Sequence, residues 1–204
     1  MQALTSVNLS EIPFYKFKIG DFAGIEHVII SATGYTGSGG FEIYVKNDQV
    51  EQLWKQVFEA GASYGIKPIG LAARDTLRLE MGYCLYGNDI NENTSPEEAN
   101  LRWITKVETN FIGSVIINNQ IQDGCNKKLV GFKLTEKSIP RKGYKIFSRD
   151  NELIGHVTSG TFSPLLKKGI GLAYINCINL KDDLIYIKIR NNLNEAEIVK
   201  TPFI

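Results

Sequence analysis

The chain has 204 residues, of which 23 are Lys or Arg and 22 are Asp or Glu, giving a formal net charge of +1. This length holds one large domain or two small ones with a sizeable core, so folding requires no disulfide or metal. A charge this close to zero provides no global attraction to nucleic acid or to an anionic membrane, so we expect neither as a partner. Any charged ligand must therefore be recognised locally.

The cysteines and the apolar runs predict the cellular compartment of the chain. Cys84, Cys125 and Cys177 are far apart and lack CxxC spacing, which predicts reduced thiols and no metal site. Neither His27 nor His156 lies in a motif that would pair it with a catalytic cysteine. No run approaches the roughly 20 apolar residues that span a bilayer, and the N-terminus lacks a basic region followed by an apolar one. We therefore predict a soluble, untargeted, cytoplasmic protein.

The first elements are strands that meet at a glycine-rich segment. Alternation and β-branched residues predict strands over residues 12–19 and 27–32. Residues 31–42 then include four glycines within seven positions, as a tight hairpin or the rim of a ligand site requires. Beyond them residues 41–45 alternate, so Glu42 points away from the face of the sheet that packs. An exposed hairpin glutamate and a ligand-binding carboxylate both fit this pattern.

Helical periodicity follows the strands. Apolar residues spaced by three and four predict a helix over about 48–60, ended by Gly61, with Trp54 and Phe58 in the core. A second helical segment is predicted within 66–82, after Pro68 and Gly70. Farther along, Trp103 is predicted to be a core residue.

Two arginines lie one turn apart in this second segment. Arg74 and Arg78 share one side of the helix, where two guanidinium groups form a fork suited to a carboxylate. In the alternative interpretation they pair with Asp75 and Glu80 on a solvated face. The spacing alone leaves both interpretations open.

The second half of the chain is predicted to be a β structure. A polar stretch over 118–127 indicates a domain boundary. Six short strands without a clear helix predict a small antiparallel barrel or sandwich; they cover residues 128–134, 144–148, 152–159, 169–177, 184–190 and 195–200. Lys167 and Lys168 lie in a predicted loop that is either solvated or in contact with an acidic partner.

Several motifs together resemble one known family. They are ATGYTGSGGFEI at 32–43, GLAARDTLRLEMG at 70–82, LYGNDI at 85–90, TSGTFSP at 158–164 and KKG at 167–169. In order and spacing they are similar to the aminomethyltransferase, or T-protein, of the glycine cleavage system, and the match covers essentially the whole chain. The resemblance implies an α+β fold. A folate-binding α/β region, incomplete at its N-terminus, would cover 1–120, and a C-terminal six-stranded antiparallel β-barrel would cover 121–204.

The resemblance also implies an activity. Enzymes of this family take the aminomethyl group from the lipoyl arm of H-protein, release ammonia and leave 5,10-methylenetetrahydrofolate. Tetrahydrofolate would be the co-substrate, and lipoyl-bearing H-protein the partner.

Three residues match positions that the family uses at its site, and a fourth, Tyr35, is suggested by its aromatic ring. The family's pterin-contacting glutamate falls on Glu42, and its substrate-contacting arginine falls on Arg74. Tyr35 would stack on the pterin ring or border it. Arg141, in the sequence IPRKG, resembles another arginine that the family places near the site. Ser38 stands where the family usually has an acidic residue, so any role of that outer carboxylate is lost.

A second departure concerns catalysis. Family members are longer at the N-terminus, and the aspartate thought to position their folate lies in that part; no aspartate of this chain occupies an equivalent motif. The resemblance therefore implies the C-terminal portion of the enzyme, inactive alone, with no catalytic residue assigned. The alternative is a non-catalytic folate-binding or protein-interaction module, although LYGNDI at 85–90 is of the glycine-cleavage kind.

Overall fold

The computed structural model describes residues 1–178 and 182–204, which form two compact units, Met1–Arg74 and Asp75–Ile204. The division near residue 120 that the sequence suggests stays a prediction. None of the helices in the described ranges is both long and apolar enough to cross a bilayer.

The first unit is built on a three-stranded antiparallel sheet. Its strands are β1 (Phe17–Phe22), β2 (Ile25–Ser31) and β3 (Glu42–Tyr44), in that spatial order. One face of the sheet packs on a core that includes Phe22, Val28 and Ile30, which are at most 1% exposed. The predicted alternation after the glycine-rich segment is confirmed, because Phe41, Ile43 and Val45 pack against this core.

The predicted strand over 12–19 is wrong in its first half. The backbone N–H of Lys16 donates to the carbonyl of Pro13, which closes a turn before β1 begins at Phe17. Tyr15 adopts φ +63 in this turn. The alternating polarity of residues 12–19 therefore covers a turn followed by the start of a strand, and not a single strand.

The first predicted helix is confirmed as α1 (Val50–Gly61), including its end at Gly61. The chain continues through a 3-10 turn and leaves the helical conformation at Gly65, whose φ is +69. Trp54 is 57% exposed, so the prediction that it belongs to the core is wrong. The centroids of the Trp54 and Phe58 rings lie 4.7 Å apart. The side of α1 that faces the core is formed by Leu53 and Val57 instead.

The second unit contains the predicted six-stranded barrel. Its strands are β4 (Lys127–Leu134), β5 (Lys145–Phe147), β6 (Leu153–Ser163), β7 (Lys168–Asn176), β8 (Leu184–Ile189) and β9 (Asn192–Val199). They close in the order β4-β7-β6-β5-β8-β9, every pair antiparallel. The interior is filled by apolar side chains such as Phe132, Leu134, Ile146, Ile185 and Ile187, all fully buried. The fold class is therefore α+β with a closed barrel, as the sequence predicts.

Two further helices complete the fold. The helix α2 (Leu71–Glu80) confirms the predicted segment, and its residues from Asp75 onward belong to the second unit. The helix α3 (Ser114–Asp123) occupies most of the stretch that was predicted to be a polar linker. A buried Ile117 holds α3 in place despite its polar composition.

Candidate functional site

Glu42 lies on the face of the first unit's sheet that is turned away from the core. It is opposite Ser31 of β2, which is opposite Phe17 of β1. Because opposed residues share a face, these three side chains form one row. The next row on the same face is apolar and 36–58% exposed, and consists of Ile19, Ile29 and Tyr44. The carboxylate thus borders an apolar surface that a flat ring could cover.

The carboxylate of Glu42 is fixed on one side. The hydroxyl of Thr33 donates a short hydrogen bond to Oε2, and the hydroxyl of Tyr44 lies 3.5 Å from the same oxygen. No residue in 1–178 or 182–204 donates to Oε1. The half-buried carboxylate therefore has a defined orientation and a second oxygen that can accept hydrogen bonds from a ligand.

The glycine-rich segment also brings Tyr35 and Arg74 together. The Cζ atom of Arg74 lies 4.9 Å from the centroid of the Tyr35 ring, within the range of a cation–π contact. Arg74 is in the first turn of α2, where its N–H donates to the carbonyl of Gly70 at 3.2 Å. Its guanidinium forms no ion pair within the described ranges. Glu42 and Arg74 belong to the same unit, and no direct contact joins them.

Arg141 belongs to the second unit and is exposed. Its Nη1 lies 3.4 Å from the carbonyl oxygen of Gly160, to which it donates a long hydrogen bond. The next residue, Lys142, donates to the carbonyl of Gly87 at 2.9 Å and to Oδ1 of Asn88 at 2.6 Å. The backbone that carries Arg141 is therefore attached to the loop that contains the LYGNDI motif.

Arg78 does not form the fork with Arg74 that was one of the two interpretations. It is 1% exposed, and its guanidinium donates to Asp75 at 2.7 Å, to Asp89 at 2.8 Å and to the Ser159 hydroxyl at 2.8 Å. The alternative pairing is correct for Asp75 and wrong for Glu80, and the solvated face that it assumed is wrong because Arg78 is buried. The carboxylate of Glu80 instead accepts a 2.5 Å hydrogen bond from the hydroxyl of Ser163.

Asp89 is the centre of this buried network, and the sequence did not reveal it. Besides Arg78, it accepts hydrogen bonds from the hydroxyls of Thr158 and Ser159 and from the N–H of Leu85. Burial lowers the pKa of Arg78, but the carboxylates of Asp89 and Asp75 outweigh it, and the pKa is raised. The network joins α2 to β6. The only sequence signal was an aspartate inside LYGNDI, because its partners are up to 70 residues away.

The surroundings of Cys84 and Cys125 disfavour the thiolate form. Burial, followed by the negative charge of Asp89, raises the pKa of the Cys84 thiol to about 11, and burial also raises the pKa of Cys125. A thiol with a raised pKa is a poor nucleophile at neutral pH. No cluster of three or more potential metal ligands occurs among the described residues.

A further hollow of the second unit lies away from Arg141. Its volume is about 770 Å³, and Tyr83, Trp103 and Val199 are among the described residues that line it. Trp103 is 78% exposed, which corrects the expectation that it is a core residue. Arg141 is not among the lining residues.

Both halves of the chain match known domain families. Residues 1–109 match the GCVT N-terminal domain, and residues 127–204 match the glycine cleavage T-protein C-terminal barrel domain. The chain therefore belongs to the glycine cleavage T-protein family.

Individual relatives agree with this assignment. The chain is 54% identical to an aminomethyltransferase of Flavobacterium psychrophilum and 47% identical to one of Halothermothrix orenii, and each match covers 100% of the chain. The solved structure of glycine cleavage system aminomethyltransferase T from Bartonella henselae superimposes with a TM-score of 0.83 at 29% identity, covering 96% of this chain and 54% of that one. The chain spans 57% of the length of these two sequence relatives.

Proposed function

We propose that this chain provides the folate-recognising part of an aminomethyltransferase of glycine cleavage. In this reaction the aminomethyl carbon leaves the lipoyl sulfur of H-protein and is bonded to tetrahydrofolate, while its nitrogen departs as ammonia. The names of the relatives support the reaction class. The three free cysteines suit the reducing cytoplasm, where we place this activity.

The observation that carries the proposal is the presentation of Glu42. The amino group and ring N–H of a pterin form a donor edge, and a carboxylate is the acceptor that suits such an edge. Thr33 holds Oε2 of Glu42, and Oε1 is left for the ligand. The adjacent apolar row, with Ile29 and Tyr44, supplies a surface for the flat ring.

The arginines would act on the charged part of the co-substrate. The guanidinium of Arg74 is restrained by the Tyr35 ring, and a planar fork suits the carboxylate of a folate. Tyr35 would then border the bound ligand. Arg141 is exposed, and we propose that it also contacts the folate co-substrate.

A second candidate function is a folate-binding module without catalysis. Asp89 is the one buried aspartate in the described ranges, and both of its oxygens already accept hydrogen bonds from protein groups. It therefore cannot position a folate nitrogen. Because the oxygens of Asp89 are already occupied by protein donors, the chain by itself is expected to bind folate without catalysing its reaction.

Calorimetric titration with tetrahydrofolate under reducing conditions tests the proposal. Glu42→Gln keeps the shape of the side chain and removes its charge, so affinity should fall by roughly 1–3 kcal/mol, or about 5- to 150-fold. Glu26→Gln is the matched control, because Glu26 is an exposed glutamate on the same sheet. Equal affinity of wild type and Glu42→Gln for tetrahydrofolate would mean that Glu42 is an exposed hairpin residue and not a ligand-binding one. Binding without turnover when lipoylated H-protein is added would select the second candidate.

A further inference from the structure

The outer surface of the barrel carries three cations around a small hollow. Lys145, Lys188 and Arg190 line it together with Gly143 and Tyr144, and its volume is about 260 Å³. None of these residues belongs to the site proposed above. All three cationic side chains are exposed.

The strand register fixes two of the three cations directly opposite each other. Ile146 of β5 pairs with Ile187 of β8, and both side chains are fully buried in the barrel. The same register places Lys145 opposite Lys188, and strand alternation turns both outward. On its other side, Lys145 is opposite His156 of β6.

The third cation is held at the end of the neighbouring hairpin. Arg190 follows the last residue of β8 and adopts φ +57, which turns the chain toward β9. The register that pairs Ile146 with Ile187 places Gly143, which has φ +86 in the turn that leads into β5, across from Arg190. Two turns therefore border the hollow at this end of the two strands.

The three cations at this hollow form no ion pair among the described residues. Within residues 1–178 and 182–204, no carboxylate oxygen lies within 4.0 Å of a side-chain nitrogen of Lys145, Lys188 or Arg190. Elsewhere on the second unit, exposed cations do have such partners: Lys127 with Glu98, Lys128 with Glu97 and Arg149 with Asp182. Like charges at directly opposed strand positions are destabilising, so this arrangement costs stability unless an anion is bound. The net charge of only +1 means that the excess is local.

We propose that this hollow binds carboxylate side chains of an acidic protein partner. A volume of about 260 Å³ admits one or two carboxylate groups, and three cations are too few to follow a nucleic acid backbone. The Arg190 fork can bind a carboxylate with two parallel hydrogen bonds, and the lysines add charge without fixed geometry. This proposal does not depend on the proposed enzymatic function.

The test uses the full 204-residue chain and a fluorescein-labelled hexaglutamate peptide, with anisotropy measured at low ionic strength. Lys145→Gln/Lys188→Gln should weaken binding by about tenfold. Lys137→Gln/Lys200→Gln is the matched control, because it removes the same charge from exposed positions of the same unit. Its affinity should stay within about twofold of wild type. Circular dichroism establishes that both variants are folded.

Three results would overturn the proposal. Equal losses in the two double variants would show attraction to net charge rather than to the hollow. The absence of peptide binding by the wild-type chain would show that the cations are simply solvated. Displacement of the peptide by inorganic phosphate at an equal concentration of charge would indicate a site for a small free anion instead of a protein carboxylate.

Discussion

Removing the charge of Asp89 is the most direct test of what holds α2 to the barrel. Asp89→Asn keeps the shape of the side chain but leaves the Arg78 guanidinium, which is 1% exposed, without its buried counter-ion. The amide group of asparagine also replaces one of the two acceptor oxygens by a donor, at the place where either Thr158 (to Oδ1) or Ser159 (to Oδ2) now donates.

The magnitude follows from the burial of both partners. Removing one member of a buried ion pair costs about 3–5 kcal/mol, because the remaining charge stays desolvated. For a protein of this size, each kcal/mol lowers the melting temperature by about 2–4 °C. We therefore expect Asp89→Asn to lower it by roughly 6–20 °C.

Thermal unfolding followed by circular dichroism measures this effect, and Asp75→Asn is the control. Asp75 contacts the same guanidinium, but its side chain is 43% exposed, so its loss should cost about 1 kcal/mol or less. If Asp89→Asn and Asp75→Asn melted at the same temperature, burial would not determine the strength of this network, and the reasoning would fail.

Three further predictions concern a turn, a thiol and a guanidinium. Gly82→Ala should lower the free energy of unfolding, measured in urea, by about 2–3 kcal/mol, because the φ of Gly82 is +69 and a Cβ there would lie 2.5 Å from a neighbouring side chain. Gly124→Ala is the control: its φ is +85, but nothing lies near the added Cβ, so it should lower the free energy of unfolding by only about 1 kcal/mol. Cys84 should react with iodoacetamide far more slowly in the folded than in the urea-unfolded chain at pH 8, because its folded pKa is about 11. Because the pKa of Cys84 is raised from 9.0 to about 11 in the folded state, the stability of the fold should fall as the pH rises from about 9 through about 11; equal alkylation rates in the two states would contradict both statements. Arg74→Lys should weaken calorimetric tetrahydrofolate binding by roughly 1–2 kcal/mol, and wild-type affinity would show that a point charge is sufficient.

Local patterns in the sequence were enough to predict six strands in the second half of the chain, and the family resemblance selected a barrel over a sandwich. Each strand is a short apolar or alternating run between turn residues, so its position is encoded within about ten neighbouring residues. The same reasoning missed α3, because its polar composition resembles a linker and only Ile117 is buried among its apolar residues. It also placed Trp103 in the core, although that side chain is 78% exposed. Hydrophobicity predicts that a residue can be buried, and tertiary packing decides whether it is.

The candidate site was predicted in part for the same reason. The strand alternation after the glycine-rich segment correctly turned Glu42 away from the core. The contact between Tyr35 and Arg74 joins residues 39 positions apart in sequence, and no periodicity of the sequence predicts it. The partners of Asp89 on β6 are more distant still, so spacing could not separate the ligand-binding interpretation of Arg78 from the structural one.

Glu42 and Asp89 show how the surroundings of a carboxylate determine its role. Asp89 has both oxygens occupied by protein donors and is 1% exposed, so its charge can stabilise the fold but cannot receive a ligand. Glu42 is half-buried and held through Oε2 alone, so it contributes little to stability and keeps acceptor capacity. The two variants should therefore separate. Glu42→Gln should weaken tetrahydrofolate binding and change the melting temperature by no more than a few degrees, whereas Asp89→Asn should lower the melting temperature strongly. A large loss of stability in Glu42→Gln would mean that its bond to Thr33 is structural and that the folate proposal has lost its main support.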